Sequence, residues 1–328
     1  MGKPVVIFRA DGHAEMGLGH LIRSAALAEM LAPDFACYFA YRHCPAGLSD
    51  QIAVSCSGTH LLESDEPTEF LRYAEGVGNG PVIVVLDGYH FGTAYQRSVI
   101  DAGHRLVCID DIHAYHFLAH VVINHAGGIR PEDYSAEAYT RFCLGPRYAL
   151  LRKAFRDTSP VRAALPNKSG FVCLGGADPP NATLTVLEEC GVECPDYTLD
   201  VVIGAAYAHR DVLDQYLAAS NARVRLHHGV SAEEMARLMA DSDFGITSPS
   251  TVSFEYLSVG GTLYLLPIAD NQADIYAYFV SGGLAFSFED DFPVSQDRIL
   301  GSREKRALLF DGNIQHRYRQ LFTELAIR

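Results

Sequence analysis

The stretch VVIFRADGHAEMGLGHLIRSAALAEMLA, residues 5–32, passes from a short β-branched run through a glycine-containing turn into a helical pattern. The run at 5–10 has the composition of a buried strand, and the apolar residues of 21–32 recur with a helical period. Further strand-like runs follow: FACYFAY (35–41), VIVVLD (82–87), RLVCIDD (105–111) and HVVINH (120–125). Strands that alternate with helices predict βα units on a parallel sheet.

The same alternation restarts in the second half of the chain. Residues 156–170 collect Pro, Ser, Asn and charge, as linkers do, and strand-like runs follow at 171–177, 198–204, 223–229, 244–250 and 262–269. We therefore predict two Rossmann-like, doubly wound α/β domains, residues 1–155 and 168–305, and a terminal helical segment, 306–328, that packs back on the first domain. Ligands bind beyond the carboxyl ends of such sheets, so we expect the domains to face a cleft that holds the site.

Composition excludes several classes of function. Lys and Arg total 26 against 40 Asp and Glu, a net charge of -14, which argues against nucleic-acid binding. No stretch approaches the roughly 18 apolar residues of a membrane helix, and the first residues lack the apolar core of a signal peptide, so we expect a cytoplasmic chain without membrane insertion. The 8 cysteines include no CxxC pair, which predicts buried free thiols rather than disulfides or zinc ligands.

The turn between the first strand and the first helix is a candidate anion site. Gly17 and Gly19 permit close backbone approach, and the helix start offers free N–H groups. Arg23 stands where the dinucleotide fingerprint has its third glycine, so the turn does not predict NAD binding. His20 lies at the head of this helix, where the dipole disfavours an imidazolium, and a neutral imidazole there could act as a general base. A histidine that only caps or packs is the alternative.

Loops after strands of the second half suit a nucleotide. Backbone amides of GGADPPN (175–181) could wrap a phosphate, although an ordinary connection with Asp178 or Asn181 as helix cap is equally consistent. In TSPSTVSFE (247–255), hydroxyls and amides suit a diphosphate, and Glu255 one turn into the helix suits the two hydroxyls of a ribose. A capping box is the alternative for this segment. Residues 270–272 end the next strand and would project side-chain amides into the same cleft.

Together these segments resemble the UDP-sugar hydrolases of pseudaminic acid biosynthesis. That family is similar to the lipid II-forming N-acetylglucosaminyltransferase of cell-wall synthesis and shares its two-domain GT-B fold. The resemblance spans nearly the whole chain and rests on segments in the family's order: GLGHLIRS (17–24), LDGY (86–89), CIDD (108–111), VVIN (121–124), GPRYALLRKAF (145–155), CLGGADPPN (173–181), SPSTVSFE (248–255) and DNQ (270–272).

The resemblance implies a metal-independent reaction without a cofactor. Water attacks the anomeric carbon of UDP-2,4-diacetamido-2,4,6-trideoxy-β-L-altropyranose, and UDP departs. His20 corresponds to the family's catalytic histidine, and Glu255 corresponds to the residue that binds the ribose. We expect the chain to be a monomer whose partner is the UDP-sugar substrate. The implied substrate-binding residues are Gly17, Gly19, Arg23, Asp87, Tyr89 and Asn124 in the first domain and Gly176, Ser250, Thr251, Glu255, Asn271 and Gln272 in the second.

One departure from the family pattern concerns Phe254, which stands where the family usually has Asn. The stretches around His13 and 113–116 also differ from that pattern. An amide replaced by an apolar ring predicts a changed sugar pocket. The same replacement leaves a second possibility, a protein that binds a nucleotide sugar without turnover. A second alternative is an inverting glycosyltransferase in which His20 deprotonates an acceptor hydroxyl. A net charge of -14 without an obvious basic, apolar patch favours water as the acceptor.

Overall fold

The computed structural model describes residues 2–12, 17–78, 80–156, 168–204, 206–307 and 309–327. The chain divides into two compact units, the first formed by Met1–Lys153 with Gly312–Arg328 and the second by Ala154–Asp311. Each unit has its own parallel sheet with helices in the connections, so the predicted doubly wound α/β architecture is confirmed. His13 and most of the expected linker, 157–167, lie outside the described residues.

The first unit begins with the predicted strand, helix and strand. Its described strands are β1 (Val5–Ala10), β2 (Ala36–Tyr41), β3 (Gly58–Leu61), β4 (Ile83–Asp87), β5 (Arg105–Ile109), β6 (His116–Phe117), β7 (Val121–Asn124), β8 (Ser135–Ala136) and β9 (Arg141–Leu144). The helices among them are α1 (Gly19–Leu31), α2 (Ala46–Ser55), α3 (Pro67–Val77) and α4 (Thr93–Asp101), and α5 (Lys153–Arg156) follows at the junction of the units.

The main sheet of the first unit has the order β3-β2-β1-β4-β5-β7-β9, with all neighbours parallel. Phe70 of α3 and Val99 of α4 pack with Ile7 of β1 and Val84 of β4 in one buried cluster, so these strands are apolar on their covered face. The chain leaves β1 on one side toward β2 and later returns on its other side as β4. Ligands of doubly wound sheets bind outside the carboxyl ends of the strands at such a switch point.

The second unit repeats this design. Its described strands are β10 (Ser169–Cys173), β11 (Thr198–Ile203), β12 (Val224–His228), β13 (Phe244–Thr247), β14 (Thr262–Leu265) and β15 (Phe286–Ser287). The helices are α6 (Ala182–Glu193), α7 (Arg210–Ala219), α8 (Ala232–Ala240), α9 (Thr251–Val259), α10 (Ala273–Ser281), α11 (Phe288–Asp291) and α12 (Gln296–Ala307). The parallel order β12-β11-β10-β13-β14-β15 places the switch point between β10 and β13.

The last helix, α13 (Ile314–Ile327), belongs to the first unit although it follows the second in sequence. Its buried Phe322 lies edge-on to Phe35, with ring centroids 6.1 Å apart. Tyr318 donates to the carbonyl oxygen of Tyr148 at 2.5 Å. The apolar face of α13 is therefore part of the first unit's core.

All eight cysteines are free thiols, and five of them are buried. Among the described residues, no helix is both long and apolar enough to cross a membrane.

Candidate functional site

The candidate catalytic residue lies at the switch point of the first sheet. Gly17 has φ +83, a left-handed conformation that favours glycine, and two residues later α1 begins at Gly19. His20 is therefore in the first turn of α1, with 4% of its surface exposed. Asp87 is the last residue of β4, which pairs with β1, and its side chain is fully buried. The strand order thus brings the ends of β1 and β4 to the same place.

His20 and Asp87 form a hydrogen-bonded pair. His20 Nδ1 lies 2.7 Å from Asp87 Oδ1. Burial alone would raise the pKa of Asp87, but the Arg23 guanidinium, followed by His20, outweighs burial and lowers this pKa to about 2. An ionised carboxylate can only accept, so Nδ1 carries the proton and donates it to Asp87. Nε2 of a neutral His20 then has its lone pair available, which is the tautomer that a general base requires.

Arg23 is a buried support for this pair. It is 5% exposed and donates to Asp87 through Nε at 2.9 Å and Nη2 at 2.6 Å, and to Asp111 through Nη1 at 2.9 Å. Ser24 Oγ donates to Asp87 Oδ2 at 2.9 Å, the oxygen that also accepts from Arg23 Nε. Both carboxylate oxygens of Asp87 are thus engaged within the protein. Asp87 and Arg23, which the family resemblance gives as substrate-binding residues, are placed to hold His20 in one orientation.

Tyr89 forms one wall beside the imidazole. Its ring meets that of His20 edge-on, with centroids 4.7 Å apart. The Tyr89 hydroxyl lies 3.5 Å from Asp111 Oδ2, and Tyr115 donates to the Tyr89 carbonyl oxygen at 2.5 Å. Tyr89 is only half-buried, so its position beside His20 is compatible with the expected contact to substrate.

Asn124, at the end of β7, is 1% exposed and bonded within the first unit. Its Oδ1 accepts from the Ala126 N–H at 2.8 Å, and its Nδ2 donates to the Tyr134 hydroxyl at 2.9 Å. Nδ2 also lies 3.1 Å from Nε2 of His113, a residue with φ 53 in the stretch that departs from the family pattern. Asn124 therefore shapes the loops beyond β5 and β7 through its own amide.

A second polar cluster lies at the end of β1. Fully buried Arg9 donates to Asp11 at 2.5 Å and to Asp65 at 3.0 Å, and Arg42 also pairs with Asp65. Potential ligand atoms of Asp11, Asp65 and His90 all lie within 4.8 Å of one another. The two guanidinium groups already supply positive charge to both carboxylates, so this donor set does not fit a divalent cation.

In the second unit, two loops touch beyond the carboxyl ends of β10 and β11. Gly175 has φ +97, and Gly176 follows it beyond the end of β10. A Cβ built on Gly204, beyond β11, would lie 2.3 Å from the carbonyl oxygen of Gly176. Glycine is therefore required at 204 for this close backbone approach. Asp178 acts as a cap of α6, as one alternative expected, because its carboxylate accepts from the N–H groups of Ala182 and Thr183 at 2.9 and 2.8 Å.

The start of α9 is the candidate diphosphate site. Ser250 occupies the N-cap position but makes no side-chain hydrogen bond to the first turn, which begins at Thr251. The Ser253 N–H of the first turn donates to the Ser250 carbonyl oxygen at 2.9 Å. The N–H groups before it precede the first helical hydrogen bond, so they can donate to an anion. The hydroxyls of Ser248 and Ser250 lie 3.1 Å apart beside them, and the buried Thr247 Oγ1 makes no hydrogen bond to a described residue.

The remaining candidates of the second unit lie on α9 and in the loop after β14. Glu255 is one turn into α9 and 2% exposed. Gln272 accepts from the Ile268 N–H through Oε1 at 2.8 Å, and Asn271 precedes it in a 3₁₀ turn. Phe254 is 1% exposed and packs edge-on against Phe279 at 4.9 Å between centroids. Phe254 thus packs against Phe279 within the second unit, and a changed sugar pocket at this position stays a prediction.

Asp111 and Ser24 complete the His20 site, although the sequence alone did not indicate either of them. Asp111 follows β5, the strand next to β4, and a polar residue just beyond a strand beside the switch point was the available signal. Ser24 lies one turn after His20 on α1, where residues four apart share a face.

Two distant relatives share sequence with the chain over most of its length. No protein-family model matches the chain. The chain is 24% identical over 280 residues to an uncharacterized protein of Methanocaldococcus jannaschii, an alignment that covers 81% of this chain and only 56% of that protein. The chain thus spans about half the length of this relative. It is also 22% identical over 291 residues to the UDP-2,4-diacetamido-2,4,6-trideoxy-beta-L-altropyranose hydrolase of Campylobacter jejuni, with 87% of this chain and 99% of that protein covered.

Solved structures show the architecture. The glycotransferase of kitacinnamycin superposes with a TM-score of 0.64 at 13% identity, and the alignment covers 99% of this chain and 100% of that one. The chain has the GT-B fold. The spinosyn rhamnosyltransferase gives a TM-score of 0.60 at 12% identity over 99% of this chain and 100% of its own. MurG of Acinetobacter baumannii gives 0.55 at 14% identity over 97% and 95%. At these identities the similarity extends to the two Rossmann-like domains and no further.

Proposed function

We propose that this protein hydrolyses a UDP-linked diacetamido-trideoxy sugar, with His20 as the general base. The observation that carries the proposal is the 2.7 Å contact between His20 Nδ1 and the ionised Asp87, because it leaves Nε2 as the acceptor. The distant similarity to the altropyranose hydrolase, over nearly the full length of both chains, supports the substrate class and a place in nonulosonic (pseudaminic) acid biosynthesis.

The reaction would proceed in one displacement. Water attacks the anomeric carbon, its proton passes to Nε2 of His20, and the bond from that carbon to the diphosphate oxygen breaks. The bonding electrons leave with UDP, and the configuration at the anomeric carbon inverts. Asp87 stabilises the imidazolium that forms, and Arg23 keeps Asp87 ionised.

The second unit supplies groups that suit UDP. The N–H groups at the start of α9, the hydroxyls of Ser250 and Thr251, and the backbone beside Gly176 are neutral donors for a diphosphate. Such donors can stabilise a leaving diphosphate without a metal ion. Glu255 would accept from the two ribose hydroxyls. Asn271 and Gln272 add amide groups in the loop after β14, the strand next to β13.

An inverting transferase is the second candidate, because the solved structures that share the fold include glycosyltransferases. The same base would then deprotonate an acceptor hydroxyl instead of water. The acceptor therefore has to be identified directly.

The test is proton NMR of the protein with the altropyranose substrate in excess chelator, with mass spectrometry of the products of the same reaction in ¹⁸O-labelled water. We expect UDP release, an inverted anomer as the first product and ¹⁸O in the sugar. His20→Ala should reduce turnover by about 10²-fold or more while UDP binding persists, and His116→Ala, an exposed histidine of the same unit, should leave turnover unchanged.

Four outcomes would contradict parts of the proposal. Binding of UDP without turnover of any UDP-sugar would indicate a binding-only protein. Release that requires an added sugar acceptor would indicate a transferase. Activity lost in chelator and restored by magnesium would exclude the metal-independent reaction. His20→Ala turnover within a few-fold of the natural protein would remove His20 as the base.

A further inference from the structure

A pocket of about 420 Å³ lies in the first unit at the end of the sheet opposite to His20. Arg105 and Arg141 are the first residues of β5 and β9, and Val121 is the first of β7. Helix α13 covers this end with Leu321 and Leu325. Each strand of four or five residues is roughly 13–17 Å long, so the pocket is separated from the switch-point site by about that distance.

Two nitrogen atoms in this pocket face each other as donors. The Leu106 N–H donates to His120 Nδ1 at 3.1 Å, so a neutral His120 carries its proton on Nε2. Arg105 Nη1 lies 3.0 Å from that Nε2. A guanidinium nitrogen has no acceptor capacity, so this contact brings two N–H groups together without an acceptor between them.

The charge of the pocket is positive on balance. Among the described residues, Arg105 makes no ion pair with a carboxylate. Arg141 pairs with Glu324 of α13 at 2.7 Å, and this pair is half-exposed. Burial first, and Arg105 second, lower the pKa of His120, which keeps its ring neutral. The Arg105 guanidinium therefore carries a positive charge that no carboxylate of the pocket balances, and it lies beside the His120 Nε2–H donor.

The rest of the wall is apolar. Val121, Leu321 and Leu325 are buried at 1%, 3% and 8% exposure. The ring of Tyr139 stands beside His120, with centroids 5.5 Å apart, and its hydroxyl is fixed by donation to the Leu118 carbonyl oxygen at 2.9 Å. The pocket thus combines an anion-binding corner with a surface for a hydrocarbon or ring, a mixture typical of small-molecule sites.

We propose that this pocket binds a small organic anion, in which a carboxylate or phosphate is attached to an apolar ring. One anion oxygen would accept from both Arg105 Nη1 and His120 Nε2, and the ring would lie against the side chain of Tyr139, which is 54% exposed. Glu324 sits at the rim, where its pairing with Arg141 reduces its repulsion of the ligand. The proposal is independent of the UDP-sugar reaction and assigns the first unit a second ligand site.

The experiment is an NMR titration of the full chain with phenyl phosphate and, separately, with benzoate. Saturating UDP is present throughout to occupy the nucleotide site. We expect saturable shifts of the His120 ring and the Leu106 amide, with a dissociation constant on the order of millimolar or tighter. The stronger of the two probes identifies the preferred anion class.

Variants separate the pocket from general charge attraction. Arg105→Gln should weaken binding by about tenfold or more, and Arg105→Lys should restore part of it because the charge returns. Arg303→Gln, an exposed arginine of the second unit, is the matched control and should bind as the natural protein does. Thermal unfolding of Arg105→Gln checks that the variant is folded.

Two results would overturn the proposal. One is the absence of any saturable shift of His120 with either probe. The other is folded Arg105→Gln that binds both probes as tightly as the natural protein. Neither result bears on hydrolysis of the UDP-sugar, which is measured separately at His20.

Discussion

His20 Nδ1 and Asp87 Oδ1 lie 2.7 Å apart, although the two residues are separated by 67 positions in the chain. The contact exists because α1 begins just beyond β1 and because β1 pairs with β4, which ends at Asp87. Arg23, on the same helix as His20, donates to both oxygens of Asp87, and Ser24 donates to Oδ2. The imidazole is therefore held in one tautomer by groups from two neighbouring elements.

Asp87→Asn should lower kcat by about 10²-fold or more with little change in the affinity for UDP. An amide N–H at this position can donate to Nδ1, which moves the His20 proton to Nε2 and removes the base. Kinetics of Asp87→Asn and of Asp101→Asn, an exposed carboxylate at the end of α4, should separate this effect from a general loss of charge. A loss of UDP affinity at unchanged kcat would assign Asp87 to substrate binding instead.

Glu255→Gln should weaken UDP binding by about 10 to 150-fold, because charge-assisted hydrogen bonds worth roughly 1.5–3 kcal/mol are lost. Calorimetry with UDP and with 2′,3′-dideoxy-UDP measures the effect. The natural protein should prefer UDP, and Glu255→Gln should discriminate much less between the two. Equal loss of affinity for both nucleotides would indicate that buried Glu255 acts only through the packing of α9.

Gly204→Ala should displace the loop at Gly176 and reduce UDP affinity by about tenfold or more. The added Cβ would lie 2.3 Å from the Gly176 carbonyl oxygen and 2.4 Å from its Cα, and backbone atoms cannot rotate away. Gly191→Ala is the matched control, because the nearest atom to its Cβ would be the Tyr216 hydroxyl at 3.8 Å. That variant should bind UDP normally. Normal UDP binding by folded Gly204→Ala would show that the loop at Gly176 does not contact the nucleotide.

Phe254→Asn should destabilise the second unit by about 3 kcal/mol or more, since the ring contact with Phe279 is replaced by a buried amide. Phe254→Leu, which stays apolar, should cost much less. Thermal unfolding and kcat/KM on the altropyranose substrate are measured together. A stably folded Phe254→Asn protein with a tenfold gain in kcat/KM would instead make residue 254 a determinant of sugar specificity.

Because His125 resists protonation in the native protein, the protein should become less stable as the pH falls from about 6.5 to 4. Burial first, and Arg23 second, lower the pKa of His125 from 6.5 to about 4. In this interval the unfolded chain binds a proton that the native protein does not, so the free energy of unfolding decreases by up to about 3 kcal/mol as the pH falls. Denaturant unfolding of His125→Gln should show a shallower pH dependence than the natural protein or exposed His116→Gln. Parallel curves for all three would contradict the assignment.

The sequence could predict the parts of the site that are local. A βα turn with Gly17 and Gly19 indicated where His20 begins a helix, and the hydroxyl residues at 247–251 indicated a helix start after β13. The role of Phe254 could not be predicted in the same way. Every residue from Val252 to Val259 is buried, so α9 has no polar face from which a pattern could assign an orientation.

By itself, the sequence determined the two parallel α/β units, because hydrophobic periodicity and turn residues act over a few neighbouring positions. Only the tertiary structure decided which polar groups meet. The order β1-β4-β5 brings Asp87 and Asp111 to the helix that carries His20 and Arg23, and α13 returns from the chain's end to close a pocket over Arg105 and His120. Such contacts depend on strand order and packing between residues far apart in the chain, which local periodicity does not encode.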